Sequence, residues 1–113
     1  GFLAVRAGLP AGVDALVCYN DQCAHGAILA LLGDGLVPGR DMLVVGCDNS
    51  AIASSRALSL TSIDRAPSRV ASLAVDQAIA RALSDGGSPA RQRVDTELVV
   101  RASTGQPRGT NCP

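Results

Sequence analysis

Residues 14–21 read Asp14-Ala-Leu-Val-Cys-Tyr-Asn20-Asp21, a continuous apolar run that stops on two polar residues. A short run of this kind reads as a buried strand (Asp14 to Tyr19). Helical spacing begins at once: Ala24, Ala27, Ile28 and Leu31 fall on one stripe as far as about Leu32, with Asp21 near the N-cap. Gly33-Asp34-Gly35 supplies the stop.

The pattern then repeats. Val37-Pro38-Gly39-Arg40 is a turn, and Met42 to Gly46 is a second buried strand ending at Cys47-Asp48-Asn49. Ser50 to Ala57 is small and polar, a loop or short helix. Leu58 to Ile63 alternates as a third, shorter strand. Pro67 suits the first turn of a helix to about Leu83, with Val70, Leu73, Ala74, Ala78 and Leu83 as its apolar positions. Asp85-Gly86-Gly87-Ser88-Pro89 breaks that helix, Val94 to Arg101 forms the last strand, and Gln106 to Pro113 reads as a disordered tail. Phe2 to Leu9 reads as the end of a helix leading into the first strand.

Continuous apolar strands joined by helical crossovers imply an α/β fold, a mostly parallel sheet with helices on both faces. Such sheets bind ligands at the carboxyl ends of their strands. Two strand ends here carry clustered polar groups, Asn20-Asp21 and Asp48-Asn49. That convergence is the functional clue available from pattern alone, although the same residues also serve as helix caps and turns.

Ten basic residues balance ten acidic ones in 113, so the chain lacks the excess positive charge of a free-standing nucleic-acid binder. The apolar fraction of 47% comes from Ala, Leu and Val; Phe2 and Tyr19 are the only aromatics, so the core must close without large anchors. Among the four cysteines, Cys18 and Cys47 lie inside apolar runs, where a thiol behaves as a small hydrophobe. Cys18 and Cys23 have no second metal-type pair and His25 is the only histidine, so no metal or other cofactor is expected. Reduced thiols and a cytoplasmic setting fit this usage, and no apolar run approaches membrane-spanning length.

Catalytic patterns are missing as well. Neither Ser54 nor Ser55 sits in the glycine-framed elbow that would make it a nucleophile for His25. The segment from Gly33 to Gly39 is glycine-rich but lacks a following Lys-Ser/Thr and opens no helix, so it does not read as a phosphate loop. The chain does not read as an enzyme.

Taken in order, these segments resemble the effector-binding domain of the LacI/GalR (lactose repressor and galactose repressor) family. The resemblance is carried by Asp14 to Asp21, Gly26-Ala27 inside the helix, Gly35-Leu36-Val37-Pro38 and Leu43-Val-Val-Gly46-Cys47-Asp48-Asn49. Leu60-Thr61-Ser62-Ile63 and Glu97-Leu98-Val99-Val100-Arg101-Ala102-Ser103-Thr104-Gly105 complete it. It covers about Val13 to Gly105. It implies the C-terminal subdomain of a periplasmic-binding-protein-like fold, with a small ligand held in a cleft between two subdomains. A DNA-binding head, a hinge and an N-terminal subdomain would precede Gly1. Operator DNA would then be reached only through that absent head, and the chain would be a fragment with an exposed apolar sheet edge, marginally stable or self-associating.

The resemblance places ligand contacts at Asn20 and Asp48, an amide and a carboxylate able to donate to and accept from neighbouring hydroxyls. Asp21 stays a helix cap. Arg65 stands where relatives commonly carry Gln near the cleft, and is either a partner for an acidic ligand or a solvated surface residue. Tyr19 either stacks on a ligand ring or fills a core short of aromatics, the second reading being preferred. A homodimer interface is implied at Ala24, His25 and Ile28, with Ser55 and Arg56 opposite. Arg56-Ala57-Leu58-Ser59 departs there from the Tyr and paired prolines of relatives.

The function so implied is binding of an effector, a sugar or similar small metabolite, and dimerisation within a bacterial LacI-type regulator. The rival is a periplasmic sugar-binding protein of an uptake system, which shares fold and cleft; the closing Glu-Leu-Val-Val-Arg favours the regulator.

Overall fold

The computed structural model describes residues 1–83 and 91–105. The elements in chain order are α1 (Phe2–Arg6), β1 (Ala15–Val17), α2 (Asp21–Gly33), β2 (Leu43–Cys47), β3 (Thr61–Asp64), α3 (Pro67–Leu83) and β4 (Glu97–Val99), followed by a 3₁₀ turn at Ala102–Thr104. The strands form one sheet in the order β1-β2-β3-β4. Leu16 lies opposite Val44 and Gly46 opposite Ser62 in parallel pairs, whereas Ile63 meets Leu98 in an antiparallel one. The α/β class is as expected, with the sheet mixed because β4 runs back against β3. No helix among the described residues is long and apolar enough to cross a membrane.

The stripe anticipated on α2 is the core. Ala24, Ala27, Ile28 and Leu31 are all buried, packed with Val5 of α1, Met42, Val44, Ala53 and Leu60. Small residues let the backbones close in: a Cβ on Gly26 would stand 2.9 Å from the Phe2 nitrogen. On β2, a Cβ on Gly46 would press on Asp21 Oδ1 and approach Leu60 Cδ2 to 2.9 Å, so only glycine lets the α2 N-terminus lie over the strand.

Several boundaries and burials differ from the expectation. β1 is shorter than Asp14–Tyr19 and forms an edge of the sheet, with Val17 exposed. A continuous apolar run signals burial only if both faces are covered, and nothing among the described residues covers this edge. Tyr19 is 88% exposed and is not a core residue. β3 starts at Thr61, not Leu58: the backbone turns at Ser59 (φ 40°) and Leu60 enters the core from outside the strand. β4 spans three residues of the expected eight. Ser50 to Ala57 forms successive turns. α3 has the expected limits, yet Val70, Leu73, Ala74, Ala78 and Leu83 are not buried. Its periodicity is real, but among the described residues it meets Gln92 and Val94 only across an open groove, with Leu73 half-buried. The break at Asp85–Pro89 and the tail at Gln106–Pro113 lie outside the described residues.

Candidate functional site

The carboxyl ends of β1, β2 and β3 lie side by side because the three strands are parallel and in register. Each delivers a polar group to that edge: Asn20 after β1, Asp48 and Asn49 after β2, Asp64 and Arg65 at the end of β3. Antiparallel β4 adds Glu97, which pairs with Asp64.

Asn20 is the N-cap of α2, with Oδ1 accepting from the Cys23 nitrogen at 2.8 Å. Capping uses one oxygen, and among the described residues its Nδ2 meets no acceptor. A cap and a ligand contact are therefore compatible on this side chain. Asp21 is not the cap. It is 1% exposed, and its carboxylate accepts from Ser62 Oγ (2.6 Å), Ser50 N (2.7 Å) and Ser50 Oγ (2.7 Å). A buried carboxylate is costly unless well bonded; three donors and its place in the first turn of α2 meet that need.

Asp48 and Asn49 have φ of 109° and 46°, in the left-handed region that non-glycine residues avoid. Such residues persist only where surrounding bonds over-determine them. Here three successive backbone N–H groups are each captured: Asp48 by the Ile63 carbonyl (2.9 Å), Asn49 by Ser62 Oγ (3.0 Å) and Ser50 by Asp21. The Asn49 side chain is held at both ends, donating to Asp64 Oδ2 at 2.9 Å and accepting from Arg101 Nη2 at 2.6 Å. The hydrogen bonds from Asn49 and from the Ala66 N–H keep the Asp64 carboxyl below its ordinary range.

Asp48 itself is half-buried. Its Oδ1 accepts from Arg65 Nη2 in an ion pair, and among the described residues Oδ2 and the remaining guanidinium donors have no partner. The same hydrogen bond raises the Arg65 pKa, so the residue stays cationic, and Cys47 and Tyr19 lie close enough to act on its charge. Asp48 and Arg65 head an open cleft of about 590 Å³ whose other wall is Pro67, Val70, Ala71 and Ala74 of α3. The cleft offers a carboxylate acceptor and a planar cationic donor beside an apolar wall, a make-up suited to a small polar molecule, and the Asn20 amide lies at the same sheet edge outside its lining.

The structure thus brings Asn20, Asp48, Arg65 and Tyr19 to one edge. The residues expected at a dimer interface divide. Ala24 and Ile28 are within this chain's own core (0% and 2% exposed) and have no surface to offer, because the stripe that α2 buries is the one that meets α1 and the sheet. His25 and Ser55 are half-buried and Arg56 is exposed. Sequence reading missed the inward roles of Asp21, Asn49, Asp64 and Arg101. Only Asp21 carried a signal, its place between a strand end and an apolar helix stripe, and that signal equally suits a cap. Cys18, Cys23 and Cys47 are free thiols, and burial, followed by Cys23, pushes the Cys18 pKa up, away from reactivity. Among the described residues, no group of three or more His, Cys, Asp or Glu could hold a metal.

Residues 2–104 match the periplasmic binding protein-like domain. No curated protein matches the chain. Among solved structures, it is similar to a LacI-type transcription regulator from Bifidobacterium animalis subsp. lactis, at 36% identity and a TM-score of 0.79, over 92% of this chain and 36% of that one. It is similar to the transcriptional regulator CelR in complex with cellobiose, at 26% identity and a TM-score of 0.75, over 80% of this chain and 28% of that one. The lac repressor dimer bound to operator and the anti-inducer ONPF is matched at 27% identity and a TM-score of 0.75, over 92% of this chain and 30% of that one. The chain spans about a third of the length of these structures.

Proposed function

The chain belongs to the periplasmic binding protein-like domain family, its structural likenesses are to LacI-type transcription regulators, and from that premise we propose that it is the effector-binding part of such a regulator. The observation that carries the reading is the meeting of Asn20, Asp48 and Arg65 at the carboxyl edge, with an amide donor, a carboxylate oxygen and guanidinium donors left over after the internal bonds are counted.

Those leftover groups suit vicinal hydroxyls. Asp48 accepts from one, Arg65 and Asn20 donate to its neighbours, and exposed Tyr19 offers a ring beside them. A sugar is the effector proposed, in keeping with the cellobiose that one relative holds. No catalytic role is proposed for the site. Effector binding would act by stabilising one of two relative arrangements of subdomains, to the extent that its affinity for them differs. Operator DNA would be engaged by a separate head, in a homodimer using His25, Ser55 and Arg56, within the cytoplasm. The lac repressor relative was solved as a dimer bound to operator and the anti-inducer ONPF.

Calorimetric titration of the intact regulator with cellobiose, lactose, D-galactose and D-glucose tests the reading. One of these sugars should bind, and Asp48→Asn should weaken it roughly tenfold or more, the loss expected for a hydrogen bond to a charged group. Binding that survives Asp48→Asn and Asn20→Ala undiminished would place the site elsewhere. A periplasmic uptake protein would instead bind sugar with no effect of sugar on any operator complex.

A further inference from the structure

We propose that Asp21 is the positioning residue of this site, a buried crossbar that sets the distance and orientation between Asn20 and Asp48; this rests on the reading that those two residues contact the effector. Asp21 follows Asn20 directly, and its Oδ2 takes both the backbone N–H and the hydroxyl of Ser50, two residues after Asp48. Its Oδ1 takes the hydroxyl of Ser62, which in turn accepts from the Asn49 nitrogen at 3.0 Å. One carboxylate therefore joins the ends of β1, β2 and β3.

A carboxylate is needed there because every partner donates. The Asp21 oxygen can only accept, so the Ser62 hydrogen points to it while the Ser62 oxygen accepts from Asn49, and the Ser50 N–H cannot turn away. An Asn at position 21 either sets its NH₂ against the Ser50 N–H or turns it to Ser62 Oγ, whose hydrogen must then find another acceptor, so one bond of the bridge is lost in either amide orientation. The left-handed backbone at Asp48 and Asn49 makes this hold consequential, since the turn would relax toward ordinary angles once a restraint goes. Gly46 belongs to the same device: any larger residue would push on Asp21 Oδ1. Asp21 needs no contact with the effector for this role and acts through Asp48.

The test has one arm without ligand and one with. In the full chain, amide hydrogen exchange at Ser50 is compared with that at Leu31 inside α2. Asp21→Asn should raise the Ser50-to-Leu31 exchange ratio by about tenfold, as expected when one well-made hydrogen bond is lost. An unchanged ratio overturns the proposal. Should Asp21→Asn not fold, Ser62→Ala and Ser50→Ala, each removing one hydroxyl partner, are read by the same ratio: a rise supports the positioning role and no change overturns it.

In the second arm, cellobiose, lactose, D-galactose and D-glucose are titrated into wild type, Asp21→Asn, Asp48→Asn and the double variant. Asp21→Asn should weaken binding roughly tenfold, and the double variant should lose little more than Asp48→Asn alone, because the first residue acts through the second. Fully additive losses, or a loss only in proportion to lowered melting temperature, overturn the positioning role. If wild type binds none of the four sugars, the sugar reading fails while the exchange ratio still decides whether Asp21 holds the turn.

Discussion

Arg101 donates from Nη2 to Oδ1 of Asn49 at 2.6 Å, across 52 positions of sequence, and from Nη1 to the Leu60 carbonyl at 2.7 Å. The guanidinium thus ties the segment after β4 both to the left-handed turn and to the approach to β3. Arg101→Lys keeps the charge but cannot serve two acceptors in fixed directions. It should cost about 1–3 kcal/mol in urea unfolding, the loss expected for partners left without their donor. A variant as stable as wild type would show that the bridge contributes nothing.

Ser103 plays a comparable part deeper in the fold. It is 2% exposed, donates to the Val44 carbonyl at 2.6 Å and accepts from the Thr61 nitrogen at 2.8 Å. Its hydroxyl completes the junction of β2 and β3 just below their first paired residues. Ser103→Ala should destabilise by about 1–3 kcal/mol, since two buried backbone groups lose their partner for a change of one atom. Equal melting midpoints would mean that those groups find other partners.

Two carboxylates give the acid limb of stability its sign. Asp41 is lowered to about 2 by the hydrogen bond from Arg40, next by the Val37 N–H, and Asp64 is lowered by Asn49 and then the Ala66 N–H. Folded values below the ordinary 3.8 mean that both contribute above pH 3.8 and lose that contribution as pH falls through the folded values, for Asp41 down to about 2. Side-chain carboxyl shifts followed by NMR should put the Asp41 midpoint near 2 and that of Asp64 below 3.8. An Asp41 midpoint at 3.8 or above would show that the Arg40 contact does not persist in solution.

The uncovered edge at β1 predicts behaviour at high concentration. Val17 is 77% exposed, and Tyr19 and Leu43 lie exposed at and beside the same edge. An apolar edge strand is a template for pairing with another chain. The isolated chain should self-associate with rising concentration in sedimentation velocity, and Val17→Lys should reduce that association. Identical profiles for both would move the sticky surface elsewhere, with the uncovered apolar side of α3 the next to alter.

Much of the architecture was legible because it depends on local periodicity. The stripe Ala24, Ala27, Ile28, Leu31 located both a helix and the core, and Pro67 marked the start of α3. Asn20 and Asp48 were legible as site candidates because parallel strands gather whatever follows them, while Arg65 was singled out only by the family resemblance. The same reasoning failed at Tyr19, on α3 and for Ala24 and Ile28 as interface residues, for one reason: periodicity says that a face is apolar, not what will cover it.

The order of elements and the polar residues that follow the parallel strands were therefore determined by the sequence itself, through spacing rules that act within one or two turns of chain, whereas the strand limits were not. Only the tertiary structure decided that Asp21 faces inward to two serines, that Asn49 is gripped by Arg101 and Asp64, and that Asp48 sits half-buried on a strained turn, paired with Arg65. Those outcomes depend on hydrogen bonds between residues from 15 to 52 positions apart, which no local pattern encodes.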